Sequence, residues 1–198
     1  MTGLRERRKS RARREMTAAA LRLFAERGYG PTTVAEIAAA ADVSQRTFFR
    51  YFSSKVDAVF GDAPERLAAL HDSLAGRGER PVHEIVRDVF LRMATEFERE
   101  TSVYLVRARL MTSEPAVRGR FLELLATIED EIAAAAAPRR ASADEVFRAR
   151  LLAALLTATL RASAFAWAAS RGRASLTRFV TDAFDTVQPA AAALEGGR

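Results

Sequence analysis

The chain has 198 residues, 49% of them apolar and 28% charged, with a formal net charge of +6. That much apolar material fills one large core or two small ones. With no cysteine, disulfides, thiolate metal sites and cysteine nucleophiles are excluded, as suits a reducing, cytoplasmic setting.

Residues 1–14 hold seven Arg and Lys against Glu6 alone, the whole of the net charge. No apolar run follows them, so they are not a secretory signal. The stretch predicts a flexible basic arm over 1–14, with Arg11, Arg13 and Arg14 placed to meet nucleic-acid phosphates or a minor groove. Taken alone it reads equally well as a solvated tail.

A first helix is expected from about Ser10 to Arg27, with Leu21 and Phe24 inward and a stop at Gly28. After Pro31, Thr32 or Thr33 caps a second helix, their hydroxyls near a phosphate backbone. Over 33–55, TVAEIAAAADVSQRTFFRYFSSK, the apolar residues Val34, Ile37, Ala38, Ala41, Val43, Phe48 and Phe52 recur at helical spacing. They describe two short helices joined by a turn at Asp42, a residue type that tolerates positive φ. Ser44 caps the second, about Gln45 to Phe52, whose solvent side offers Gln45, Arg46, Thr47, Phe49, Arg50 and Tyr51. This is the layout of a DNA-reading helix-turn-helix, assigned to a domain over 15–60. Ser53 or Ser54 caps a fourth helix running to about Leu74. Lys55 lies in its first turn, where a cation opposes the helix dipole and a bound phosphate would offset it.

From Leu23 to Lys55 the chain resembles the DNA-binding head of the tetracycline-repressor (TetR) family of bacterial transcription regulators. The matching residues are Leu23-Phe24, Gly28-Tyr29, Thr32-Thr33-Val34, Ile37-Ala38, Ala41, Val43-Ser44, Thr47-Phe48-Phe49, Tyr51-Phe52 and Lys55. The chain departs from the family at Asp42 and Arg46, where Gly is usual, and at Phe49, where Tyr is usual. A Tyr there commonly reaches a phosphate through its hydroxyl. Phe49 offers only an apolar contact, to a thymine methyl or a sugar, while Arg46 adds a bidentate donor for guanine or phosphate.

Beyond Gly76-Arg77-Gly78 and Pro81 the pattern predicts helices near 82–100, 103–112, 115–136, 143–170 and 175–194, with no strand pattern. The fold class is therefore all-α, about nine helices, a three-helix head joined to a helical bundle over 61–198. Val86, Phe90, Met93 and Phe97 form an inward stripe. The family resemblance implies that the later helices enclose an effector pocket, with Phe90, Met93, Phe97, Tyr104, Arg107, Met111, Phe121, Phe165 and Trp167 as candidates. Arg107 and Arg109 sit in an otherwise apolar segment. They either hold an anionic effector group or pair with Glu96, Glu98, Glu100 or Glu114. The RTFFRYF reader and this later helix are similar to regulators associated with long-chain acyl-coenzyme A.

Residues 151–169 are long enough to span a bilayer, but Arg161 near the middle favours a buried helix at a subunit contact over membrane insertion. The resemblance implies a homodimer through the last two long helices. Its candidate contacts are Leu152, Leu155, Leu156, Thr159, Phe179, Ala183, Phe184 and Val187, and the two readers would lie about one DNA turn apart on a palindromic operator. His71 and His83 lack a partner at metal-ligand spacing and default to surface or loop positions. With no phosphate loop, serine elbow or converging carboxylates, neither a catalytic site, a metal nor a cofactor is expected. The sequence thus points to a cytoplasmic, ligand-responsive regulator of double-stranded DNA, a repressor, with no membrane partner. A sequence-nonspecific architectural binder and a small-molecule sensor acting on a protein partner are the alternatives.

Overall fold

The computed structural model describes residues 4–196, and side chains over 8–196. The described residues form ten helices and no strand: α1 (Leu4–Arg27), α2 (Val34–Ala40), α3 (Gln45–Tyr51), α4 (Lys55–Val59), α5 (Ala63–Ala75), α6 (Val82–Arg99), α7 (Thr101–Ser113), α8 (Pro115–Ala136), α9 (Ala143–Ala169) and α10 (Leu176–Gly196). The tenth arises because the expected fourth helix is two, α4 and α5, interrupted at residues 60–62. The basic stretch differs more. From Leu4 onward it is the first turns of α1 rather than a separate arm. Residues 1–3 and the side chains of Arg5 and Arg7 lie outside the described residues.

The chain divides into two compact units. The first comprises residues 1–66 and 102–121, the second 67–101 and 122–198. Unit one thus takes in residues 61–66 and 102–121, which the sequence assigned to the C-terminal part. Its core sets Met16, Leu21 and Phe24 of α1 against Ile37, Phe48, Phe52 and Val59, and is completed by Leu110 of α7 and Val117 of α8. Local chemistry fixes the elements of the head. Gly28 ends α1 at φ +87°, and its N–H donates to the Phe24 carbonyl at 3.1 Å. Thr33 and Glu36 cap α2 reciprocally. Asp42 turns the chain at φ +53°, a left-handed conformation that Asp tolerates. The Ser44 hydroxyl accepts the Thr47 N–H at 3.1 Å and starts α3. Gly61 marks the tightest approach: a Cβ there would collide with the Thr17 hydroxyl and come within 3.1 Å of the Phe52 ring.

In unit two, α10 packs on α9 and α6, with Phe90 edge-on to Phe184 at 5.9 Å. The α6–α10 pair is capped reciprocally. Glu195, in the last turns of α10, accepts the Val82 N–H at 2.6 Å and the His83 N–H at 3.4 Å at the start of α6, where Pro81 supplies no side-chain cap. Glu98, in the last turn of α6, accepts the Thr177 N–H at 3.0 Å and the Ser175 and Thr177 hydroxyls at the start of α10. Each carboxylate faces the positive end of the other helix. Burial raises the Glu98 carboxyl, but the Thr177 N–H and its neighbouring donors outweigh it and hold the pKa below the usual value. His83, expected at the surface, is buried and bonded through Nδ1 to Glu195. His71 is exposed and pairs with Glu131 at 3.0 Å.

Candidate nucleic-acid interface

Because α3 is amphipathic, its apolar residues orient the rest. Phe48 is fully buried and Phe52 packs against it at 5.2 Å, so Gln45, Arg46, Phe49 and Arg50 are turned outward. Phe49 is 54% exposed, its ring edge-on to Phe48 at 5.6 Å. Arg46, Thr47, Phe49 and Arg50 line one shallow depression of about 570 Å³. Arg50 also lies over the half-buried Tyr51 ring, 5.3 Å from its centre. Ser44 and Thr47 share a hydroxyl–hydroxyl bond of 3.0 Å besides the cap. Thr33 is exposed, its hydroxyl committed to the Glu36 carboxylate at 2.9 Å.

Three residues expected at phosphates are held inside the head. Thr32 is buried and donates to the Gly28 carbonyl at 2.7 Å, so it fastens the α1–α2 loop. The Lys55 ammonium donates to the carbonyls of Tyr29, Gly30 and Thr32 at 2.7, 3.1 and 3.0 Å and sits over the Tyr29 ring. An ammonium has three N–H groups, and all three are used. Arg13 is largely buried and lies 3.7 Å from Glu65. Of the other basic residues on α1, Arg11 is exposed and paired with Glu15 at 2.8 Å, and Arg14 is exposed.

The sequence reading missed Asp62. It receives Arg66 Nε at 2.8 Å, both terminal nitrogens of Arg107 at 2.9 and 3.0 Å, and the Tyr104 hydroxyl at 3.2 Å. Arg66 also bonds the Tyr104 hydroxyl. Burial pushes the Asp62 carboxyl up, but the Arg107 and Arg66 guanidiniums outweigh it and hold the pKa at about 2. Burial and the Asp62 charge together push the Tyr104 phenol up to about 12. Arg107 therefore pairs with a residue outside the set proposed from sequence, whereas Arg109 is exposed. The only sequence trace of this cluster was a basic residue in an apolar helix, which asks for a partner without naming it.

Residues 17–59 match the family model described as bacterial regulatory proteins, tetR family, and residues 80–192 match that of the MftR C-terminal domain. The HTH-type transcriptional regulator TcmR of Streptomyces glaucescens is 31% identical over 173 residues, 83% of this chain and 76% of its own length. The chain belongs to the TetR family. Among solved structures, the TetR-family repressor FadR of Thermus thermophilus, in complex with lauroyl-CoA, is 27% identical with a TM-score of 0.57, over 89% of this chain and 93% of the other. FadR of Bacillus subtilis, in complex with stearoyl-CoA, shares the fold at 16% identity and TM-score 0.61, over 88% and 96% of the two chains.

As a TetR-family transcription regulator, the chain carries its effector candidates in both units. Tyr104, Arg107, Met111 and Phe121 belong to unit one. There Met111 packs on the head core and Phe121 stacks on Phe60 at 6.3 Å. Phe90, Met93, Phe97, Phe165 and Trp167 belong to unit two, where Phe90 and Trp167 are buried and Phe165 is exposed. The residues expected at a dimer contact differ in exposure. Leu152, Leu156, Thr159 and Phe184 are buried within the protomer, because α9 and α10 pack those positions against their own unit. Leu155, Phe179, Ala183 and Val187 are half-buried. The large apolar residues exposed on α9 are Val146, Phe147, Leu151 and Phe165. This helix is long and apolar enough to cross a membrane by length and composition. Among the described residues no group of three or more His, Cys, Asp or Glu is placed to hold a metal.

Proposed function

We propose that this protein is a cytoplasmic, homodimeric repressor that binds a palindromic operator and leaves it when an apolar or amphipathic effector such as an acyl-CoA binds. The outward face of α3 supports the operator half of this reading: Gln45, Arg46, Phe49 and Arg50 are exposed together on a helix whose other face is locked into the core. The phosphate contacts then fall to Arg11, Arg14 and Arg50 rather than to Lys55 or Thr32.

The observation that carries the effector half is the 27% identity to Thermus thermophilus FadR, which was solved with lauroyl-CoA. Unit two adds a chemical reason. The Ser163 hydroxyl and the Trp167 indole N–H, one turn apart on α9, are buried and make no hydrogen bond among the described residues. Buried donors of this kind are almost always satisfied, and a carbonyl oxygen of an amphipathic ligand would satisfy both. Trp167 is the sole tryptophan, so its fluorescence reports this place alone.

The test titrates lauroyl-CoA into the full-length protein while recording Trp167 emission, and in parallel measures anisotropy of the duplex upstream of its own gene. The expected result is a saturable emission change together with release of the DNA. A specific DNA complex that lauroyl-CoA leaves intact rejects the acyl-CoA effector. Absence of a specific complex at moderate salt rejects the operator reading.

A further inference from the structure

Among the described residues Phe49 is the largest apolar side chain exposed on the head, and it lines the same depression as two guanidiniums. Arg46 lies three residues before Phe49 and four before Arg50, so it neighbours both on α3, and with Thr47 the three line the depression of about 570 Å³. The ring is not loose. Its edge-on packing against fully buried Phe48 sets its direction from the core outward. Arg46 makes no hydrogen bond or ion pair among the described residues, so its fork of donors is available. An apolar ring beside an unengaged guanidinium is a poor match for a phosphate strand, which offers only oxygen acceptors. It matches a major-groove edge on which a methyl group lies beside an acceptor pair. Thymine alone among the four bases presents that methyl, and guanine presents the N7/O6 pair that Arg binds bidentately.

We infer that Phe49 is a specificity-determining residue that packs on a thymine methyl in each half-site, with Arg46 on the guanine of the adjoining step. The assignment rests on the operator reading above and adds the base chemistry that the operator must contain. It also gives this reader a preference that a hydroxyl-bearing side chain at the same place would direct to the backbone instead.

The experiment selects bound sequences from a random duplex library with the full-length protein, then replaces each thymine of the selected site, one at a time, by deoxyuridine, which lacks only the methyl. Burying one methyl-sized group predicts about a four-fold loss of affinity per half-site at a single thymine position. The same replacement should have no effect on Phe49→Ala, whose exposed position leaves folding intact, as a thermal melt will verify. Arg46→Ala should relax selection at the neighbouring guanine while the thymine preference persists. A selected site whose thymines all tolerate deoxyuridine overturns the Phe49 assignment and leaves the regulator standing. Equal sensitivity of the wild type and Phe49→Ala at the same thymine also overturns it, because another group then reads the methyl. No enriched sequence at all removes the operator reading and this assignment with it.

Discussion

The Lys55 ammonium donates to the Tyr29 carbonyl at 2.7 Å and lies 4.4 Å from the centre of the Tyr29 ring, so the start of α4 is pinned to the loop that follows α1. Its other two donors hold the Gly30 and Thr32 carbonyls of the same loop. These are charge-assisted bonds to backbone acceptors.

Replacing Lys55 by Met should therefore destabilise the protein by roughly 1.5–3 kcal/mol, the range for hydrogen bonds to a charged group, as measured by urea unfolding. The salt dependence of DNA binding should keep its slope. A slope reduced by about one would mean that Lys55 does neutralise a phosphate.

Gly61→Ala should cost about 1–3 kcal/mol through overpacking, since the new methyl meets the Thr17 hydroxyl and the Phe52 ring. That hydroxyl is buried with no hydrogen-bond partner among the described residues, so Thr17→Ala alone should be close to neutral and should recover much of the loss when combined with Gly61→Ala. A double-mutant cycle measures the coupling. Additive losses would show that the clash is relieved elsewhere.

Stability in acid should depend on Asp62. Its folded pKa of about 2 lies below the ordinary aspartate value of 3.8. The carboxylate therefore contributes fully above about pH 4 and its contribution is lost as the pH falls through 2. The difference is worth about 2 kcal/mol. Asp62→Asn should lose that limb of the pH profile. It should also be destabilised by about 3 kcal/mol at neutral pH, because buried Arg107 loses its counter-charge. Chemical denaturation from pH 2 to 7 gives both quantities.

Glu195→Ala and Glu98→Ala should each lower stability by about 1 kcal/mol, the usual worth of a helix N-cap. Glu195→Gln should retain part of its effect, since an amide oxygen still accepts the Val82 N–H. Equal losses for Ala and Gln at 195 would assign the effect to charge rather than capping.

Phe147→Glu and Leu151→Glu should convert a dimer to monomers in light scattering, because both side chains are exposed on α9. Leu156→Glu should instead unfold the protein, since Leu156 is fully buried in the protomer. Dimers that survive both surface substitutions would move the contact off this face.

The sequence by itself determined the reader. Its signals act within a turn or two of the chain: the Thr33 and Ser44 caps, positive φ at Gly28 and Asp42, and the apolar spacing that buries Phe48 and turns Phe49 outward. Only the tertiary structure decided which partner each polar residue takes. Lys55 meets a carbonyl 26 residues away, Arg107 a carboxylate 45 residues away, and Glu195 an amide 113 residues away. A charged side chain advertises its need for a counterpart but not the position of that counterpart. The same limit applies to α9, where apolar residues surround the helix and periodicity marks no inner face. Packing against α10 chose Leu152 and Leu156 for the core and left Phe147 and Leu151 outside.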